Sequence, residues 1–137
     1  MIKIFFIFFL ISTIYAGDLK LASSIFEKIT IAITHDKKSK IYVCSHIDAI
    51  DKYSEHFNIV DNCENADIVL ISSTKDIPIT CKDKVLFGTK YKHLKNKNVI
   101  GAFFWQKGRP NILFYKSRLD KNHIKLETSF NKYVENE

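Results

Sequence analysis

Residues 67–71 read Asp-Ile-Val-Leu-Ile, and this short apolar run decides the fold class. Three of its four apolar residues are β-branched, which favours a strand over a helix. A strand with no polar residue on either face is typical of the interior of a parallel sheet, where both faces are covered. The sequence therefore predicts an α/β protein built around this strand.

Similar apolar runs before and after this strand predict five more strands. They lie at residues 41–44, 57–60, 84–88, 99–105 and 111–115. A turn at 106–108, in which Gly108 can adopt positive φ, predicts a hairpin between the last two. Helices are predicted at 18–34 with Asp18 as cap, 46–55 with Ser45 as cap, 90–95, and 127–134 with Phe130, Tyr133 and Val134 facing inward.

This order of elements predicts the fold class α/β, with one domain. We expect a mixed, mostly parallel sheet flanked by helices on both faces, with a C-terminal β-hairpin and helix. Right-handed crossovers make the first four strands largely parallel.

Residues 1–16 have the features of a signal peptide. Lys3 supplies a positive start, residues 4–14 are almost continuously apolar, and Ala16 is a small residue suited to cleavage. The prediction is a 1–16 signal peptide followed by a single domain at 17–137, in a periplasmic or secreted protein. Export makes nucleic acid a poor partner, although the formal net charge is +6. That charge is explained either by attraction to an anionic membrane face or acidic partner, or by an ordinary lysine-rich surface.

Three cysteines follow the predicted signal peptide: Cys44, Cys63 and Cys81. Cys63 and Cys81 each precede a predicted strand, and these two strands are expected to be parallel neighbours. Both cysteines then lie at the same edge of the sheet, so we predict a Cys63–Cys81 disulfide. Cys44 ends its strand at the opposite edge and is interpreted as a small buried residue.

The carboxyl ends of the predicted strands carry a group of polar side chains. Ligands of open α/β sheets bind beyond these ends, so the group predicts a pocket for a small anion. The alternative is that Ser45 and Thr89 merely cap helices and that 72–74 is an ordinary loop. The candidate ligand-binding residues are Ser45, His46, Ser72, Ser73, Thr74, Thr89 and Tyr91.

The tip of the predicted hairpin forms a second candidate site. Trp105, Lys107 and Arg109 place an aromatic ring beside two cations, a composition enriched in protein interfaces. The alternative is a solvated turn with Trp105 packed onto the sheet.

Catalysis and metal binding are not predicted. The five histidines show no metal-ligand spacing, and no nucleophile, Walker or dinucleotide motif occurs. His46 and Asp48 could form an acid–base pair, but no nucleophile lies nearby in sequence. We therefore expect a non-enzymatic protein without cofactor or metal.

Together these features resemble the YfiR-like family of small periplasmic proteins. The resemblance covers about residues 19–134: the opening amphipathic helix, a strand ending in Val43-Cys44, Cys63 followed by the apolar run 66–71, and the glycine-containing hairpin at 101–115. It implies an α/β regulatory protein that acts by binding an inner-membrane signalling protein, such as a diguanylate cyclase or a sensor kinase. The three cysteines here depart from the two intrachain bridges known in the family.

The main alternative is a small-anion or solute-binding protein of single-lobe type that uses the polar strand ends. A single lobe lacks the second wall of a cleft, so tight binding would require a homodimer or a partner.

Overall fold

The computed structural model describes the backbone of residues 2–75 and 77–137 and the side chains of residues 17–75 and 77–137. The α-helices are α1 (Ile2–Thr34), α2 (Asp48–Lys52) and α3 (Lys116–Lys121). The strands are β1 (Lys40–Cys44), β2 (Asn58–Ile59), β3 (Ile68–Ile71), β4 (Leu86–Gly88), β5 (Val99–Gln106), β6 (Arg109–Tyr115) and β7 (Val134–Glu135). Connecting 3₁₀ turns span Ser54–His56, Cys63–Asn65, Ile79–Cys81, Tyr91–Lys95 and Thr128–Tyr133.

The described strands form one seven-stranded sheet in the order β2-β1-β3-β4-β5-β6-β7. Neighbouring strands are parallel from β2 to β5, β6 is antiparallel to β5, and β7 is parallel to β6. The predicted fold class, a mixed and mostly parallel α/β sheet with a late hairpin, is therefore confirmed.

Strand β3 shows how the sheet creates two cores. Its four side chains are completely buried. Because side chains alternate along a strand, Ile68 and Leu70 enter one core while Val69 and Ile71 enter the other. This agrees with the prediction that residues 67–71 form a strand covered on both faces.

The α-helices cover the first face, where Phe26 and Ile29 of α1 and Ile50 of α2 are buried. The 3₁₀ turns that lead to β3, β4 and β5 cover the second face. Since β2 lies on one side of β1 and β3 to β5 lie on the other, right-handed connections must use opposite faces. The two directions of winding thus place α2 and the 3₁₀ turns on different sides of the sheet.

The predicted disulfide is confirmed. Cys63 and Cys81 are bonded, with their Cα atoms 5.1 Å apart, and each lies in the 3₁₀ turn that precedes β3 or β4. The bridge therefore joins the amino ends of two parallel neighbours. Cys44 is buried at the carboxyl end of β1 and is not bonded to either of them.

The N-terminal helix differs from the prediction in where it begins. Helix α1 starts at Ile2 rather than after Asp18, because the apolar run and the amphipathic segment form one continuous helix. The side chains of the predicted signal peptide lie outside the described residues, so its cleavage stays a prediction. Within the described portion of the chain, no helix combines the length and the apolar character needed to cross a membrane.

Two other predicted helices are wrong in detail. The 46–55 helix is reduced to α2 and a 3₁₀ turn, because Ser45 has a φ of 74° and turns the chain instead of capping it. The predicted helix at 127–134 is a 3₁₀ turn followed by β7, although Phe130 does face the core. Neither α3 nor β7 was predicted, since elements of six and two residues show no clear periodicity.

Candidate functional site

The carboxyl edge of the sheet is the first candidate site, and the topology favours it. The chain winds outward from β1 in one direction to β2 and in the other to β3, which makes the gap between β1 and β3 a switch point. Ser45 and His46 follow β1, while Ser72, Ser73 and Thr74 follow β3. The fold therefore brings five of the predicted ligand-binding residues to the edge where doubly wound sheets bind ligands.

Ser72 joins the two strand ends directly. Its hydroxyl donates to the carbonyl oxygen of Cys44 at 2.9 Å and accepts from the backbone N–H of His46 at 3.0 Å. The hydroxyl proton is thus already used within the protein. Ser72 therefore holds the ends of β1 and β3 together, and a ligand would have to compete with these two hydrogen bonds.

Thr89 has the same role at the neighbouring strand. Its hydroxyl donates to the carbonyl oxygen of Ile71 at 2.8 Å, linking the residue after β4 to the end of β3. The alternative in which Thr89 caps a helix does not hold, because the 3₁₀ turn Tyr91–Lys95 has Lys90 at its N-cap position.

His46 is surrounded by carboxylates from the first turn of α2. Its Nε2 lies 2.9 Å from Oδ1 of Asp48, and its Nδ1 contacts Oδ2 of Asp51. Both acids lie where the positive end of a helix favours negative charge. Both ring nitrogens face carboxylates, so the imidazole is not positioned to activate Ser72. The two carboxylates also oppose the approach of an anion.

Tyr91 lies beside the second face of the sheet rather than among these hydroxyls. Its ring packs against Phe104 of β5, with the two ring centroids 5.4 Å apart, and Phe104 belongs to the core on that face. Most of the Tyr91 side chain remains exposed. Tyr91 is thus better placed to contribute to a surface than to a pocket between strand ends.

His93 is a buried residue that sequence analysis did not single out. Its Nδ1 accepts from the backbone N–H groups of Thr89 at 3.0 Å and Lys90 at 3.2 Å, while Nε2 has no hydrogen-bond partner among the described residues. Burial lowers the pKa of His93, and the nearby charges of Lys90 and Lys92 lower it further. His93 is a folding anchor for the turn after β4. The only feature of the sequence that could have indicated this role is the position of His93, three residues after the start of the predicted helix at 90–95.

The hairpin tip is the second candidate site. Lys107 and Gly108 both have positive φ, 52° and 75°, as a two-residue type I′ turn requires. Gln106 pairs with Arg109, so both strands extend closer to the turn than predicted. Trp105 is 42% exposed, beside Phe103 with ring centroids 6.0 Å apart.

The two cations of the tip, Lys107 and Arg109, are also exposed. Neither forms an ion pair with any carboxylate in the segments that the structure describes. The hairpin thus presents one partly exposed aromatic ring and two charges without an ion pair on a tightly turned ribbon, a composition found both in protein interfaces and in solvated turns.

Among the described residues, no cluster of three or more histidine, cysteine or acidic side chains could hold a metal ion. No protein-family model and no curated protein matches the chain. The resemblance to the YfiR-like family accordingly stays a prediction, and function must be argued from the two sites.

Proposed function

We propose that this chain is a non-enzymatic, exported regulatory protein that acts by binding a signalling protein at the membrane. The observation that carries the proposal is the hairpin tip, where Trp105, Lys107 and Arg109 are all exposed, with Trp105 and Arg109 on opposite faces of the ribbon. Tryptophan and arginine are among the residues most enriched where a few side chains dominate the binding energy of an interface. The tip is the proposed contact surface.

The rigidity of the hairpin supports this role. Strands β5 and β6 pair over six registered positions, from Gly101 with Phe114 to Gln106 with Arg109. A turn held in one conformation loses little entropy when it binds, so more of the contact energy remains as affinity. The Cys63–Cys81 disulfide further supports an oxidising compartment for the protein.

The alternative, binding of a small anion or solute at the carboxyl edge, is favoured by the switch point between β1 and β3. The chemistry of that edge supports it less. The hydroxyls of Ser72 and Thr89 already donate to strand carbonyls, and Asp48 and Asp51 flank His46. We therefore place the main function at the hairpin.

Affinity capture from detergent-solubilised membranes of the native cell tests the proposal. Trp105→Ala and Arg109→Glu are expected to reduce recovery of the captured signalling protein at least tenfold, because each removes a central contact. The partner is identified by mass spectrometry, and the purified pair is then titrated to obtain Kd for each variant.

Ile79→Ala and Lys38→Glu are the controls, since they change an exposed large apolar residue and an exposed cation away from the tip. They should bind like the wild type. Capture that survives both hairpin substitutions would remove the hairpin from the proposed function.

A further inference from the structure

A pocket of about 320 Å³ lies at the edge of the sheet opposite to the candidate site between β1 and β3. Its walls come from the loop before β4, the turn before β5 and the end of α3. The side chains that line it are Lys82, Lys84, Lys97, Lys121, Asn98 and Asn122, together with Asp83. Four lysines therefore face one aspartate in a cavity large enough for a small ligand.

Two of these lysines are already partly engaged. The Nζ atom of Lys84 donates to the carbonyl oxygen of Glu64 at 3.0 Å, and that of Lys97 lies 2.7 Å from a carboxylate oxygen of Glu137. These contacts hold both side chains at the pocket wall.

The positive charges of the other two lysines are not paired with any carboxylate among the described residues. Lys82 and Lys121 are exposed, and neither ammonium group makes a hydrogen bond or ion pair to any of the described residues. They come from segments about 40 positions apart in sequence, yet they line the same cavity. Bringing like charges together costs free energy that an anion between them would recover.

We propose that this pocket binds a phosphate-type oxyanion with at least two negative charges. Lysine ammonium groups recognise such an anion as point charges, so Lys82 and Lys121 supply the attraction. The amide of Asn98 can donate to it, as can the second N–H of the Asn122 amide, whose first N–H donates to the carbonyl oxygen of Arg118 at 2.8 Å. The single acid of the lining, Asp83, leaves an excess of positive charge, which favours a multivalent anion over a monovalent one. The site is independent of the hairpin and of its proposed partner.

Calorimetric titration with sodium pyrophosphate at low ionic strength tests the pocket. Lys82→Ala/Lys121→Ala should weaken binding at least tenfold. The matched control is Lys37→Ala/Lys38→Ala, which removes the same charge from exposed lysines after α1 and should weaken binding less than twofold. In NMR spectra, the side-chain amides of Asn98 and Asn122 should shift on addition of pyrophosphate.

A vesicle arm distinguishes free phosphate from a lipid headgroup. Co-sedimentation with phosphatidylglycerol vesicles but not phosphatidylcholine vesicles, lost in Lys82→Ala/Lys121→Ala, would assign the pocket to a headgroup. Pyrophosphate binding without vesicle binding would assign it to a free anion.

Three results would overturn the proposal. They are no pyrophosphate binding at millimolar concentration, equal weakening in the two double variants, and NMR shifts at residues 72–74 in place of Asn98 and Asn122.

Discussion

Arg118 is a buried cation whose contacts join several segments of the chain. It is 5% exposed, and its Nη1 lies 2.9 Å from the carbonyl oxygens of both Leu94 and Val99. Its Nη2 donates to a carboxylate oxygen of Glu137 at 2.6 Å. A buried guanidinium is tolerated only when its donors are satisfied and its charge is paired, and Arg118 meets both conditions. One side chain thereby ties α3 to the turn before β5 and to Glu137.

The carboxylate of Glu137 makes this cluster sensitive to acid. Its hydrogen bonds to Arg118, Lys97 and Ser117 lower the pKa of Glu137 to about 2. A carboxyl whose pKa is lowered by folding stabilises the protein above its ordinary pKa of 4.5, and this contribution disappears as the pH falls towards 2. Glu137→Gln should therefore be less stable than the wild type at pH 7, with the difference closing between about pH 5 and pH 2.

Urea unfolding at several pH values measures this difference. Glu135→Gln serves as the control, because Glu135 is exposed and lacks these contacts. A gap between Glu137→Gln and the wild type that does not change with pH would show that the carboxylate charge is unimportant.

At the scale of elements, the 3₁₀ turn Tyr91–Lys95 depends on a close approach to β4. A methyl group added to Gly88 would lie 2.7 Å from Cβ of His93 and 3.2 Å from its Nδ1. Only glycine leaves room for His93 to accept the N–H groups that follow β4. The hydrogen bonds that His93 accepts at the start of the turn therefore require glycine at position 88.

We expect Gly88→Ala to lower the free energy of unfolding by about 1–3 kcal/mol, the usual range for overpacking. His93 must move, and its hydrogen bonds to Thr89 and Lys90 lengthen. Chemical denaturation measures the loss of stability, and the NMR signals of these two backbone N–H groups report the displacement.

Gly17→Ala is the matched control, because nothing lies within 4 Å of a methyl group at this position. It should be neutral, because the added methyl group meets no neighbouring atom. Equal effects of the two substitutions would contradict the packing argument.

Strand β5 contains an irregularity that requires a second glycine, Gly101. The register between β4 and β5 shifts, so that Leu86 pairs with Val99 but Phe87 pairs with Gly101. This irregularity adds one residue to β5, and a methyl group on Gly101 would lie 2.7 Å from the ring of Phe114. A bulge of this kind redirects the strand beyond it, which positions the Trp105 end of the hairpin.

At the scale of the whole molecule, the two faces of the sheet are covered unequally. The first face packs against α-helices, whereas the second is covered largely by 3₁₀ turns and by the residues around Cys63 and Cys81. Short turns contribute little burial each, so the covalent link between two of them replaces packing that a longer helix would supply. The disulfide is thus expected to matter for global stability.

Replacing both bridged cysteines, as Cys63→Ala/Cys81→Ala, should lower the free energy of unfolding by about 3 kcal/mol. The estimate follows from the loop closed by residues 18 positions apart in sequence. Reversible urea unfolding gives the value. The double variant should still fold, because both cores remain.

Alkylation in denaturant without reductant is the accompanying check. One modified cysteine per chain is expected, at Cys44, whose thiol is buried in the native protein. Modification of all three cysteines would show that the bridge is not formed, and unchanged stability of the double variant would show that it does not matter.

The apolar runs were enough to predict six of the seven described strands and the mostly parallel sheet. Residues 67–71 predict a doubly covered strand, and parallel neighbours then place Cys63 beside Cys81. These predictions succeed because burial on both faces leaves no polar residue to interrupt the pattern, and because parallel strands align their equivalent ends. The polar strand ends after β1 and β3 were also correctly placed at one edge.

The roles of the polar side chains were decided by the tertiary structure. Ser72 and Thr89 bond to carbonyls of neighbouring strands, and Arg118 meets Glu137 across 19 positions of sequence. Lys82 and Lys121 share a pocket that no local pattern marks. The apolar pattern of the local sequence indicates which strand residues are buried. A hydrogen bond or a cluster of charges depends on which distant segment arrives opposite, and only the folded chain specifies that.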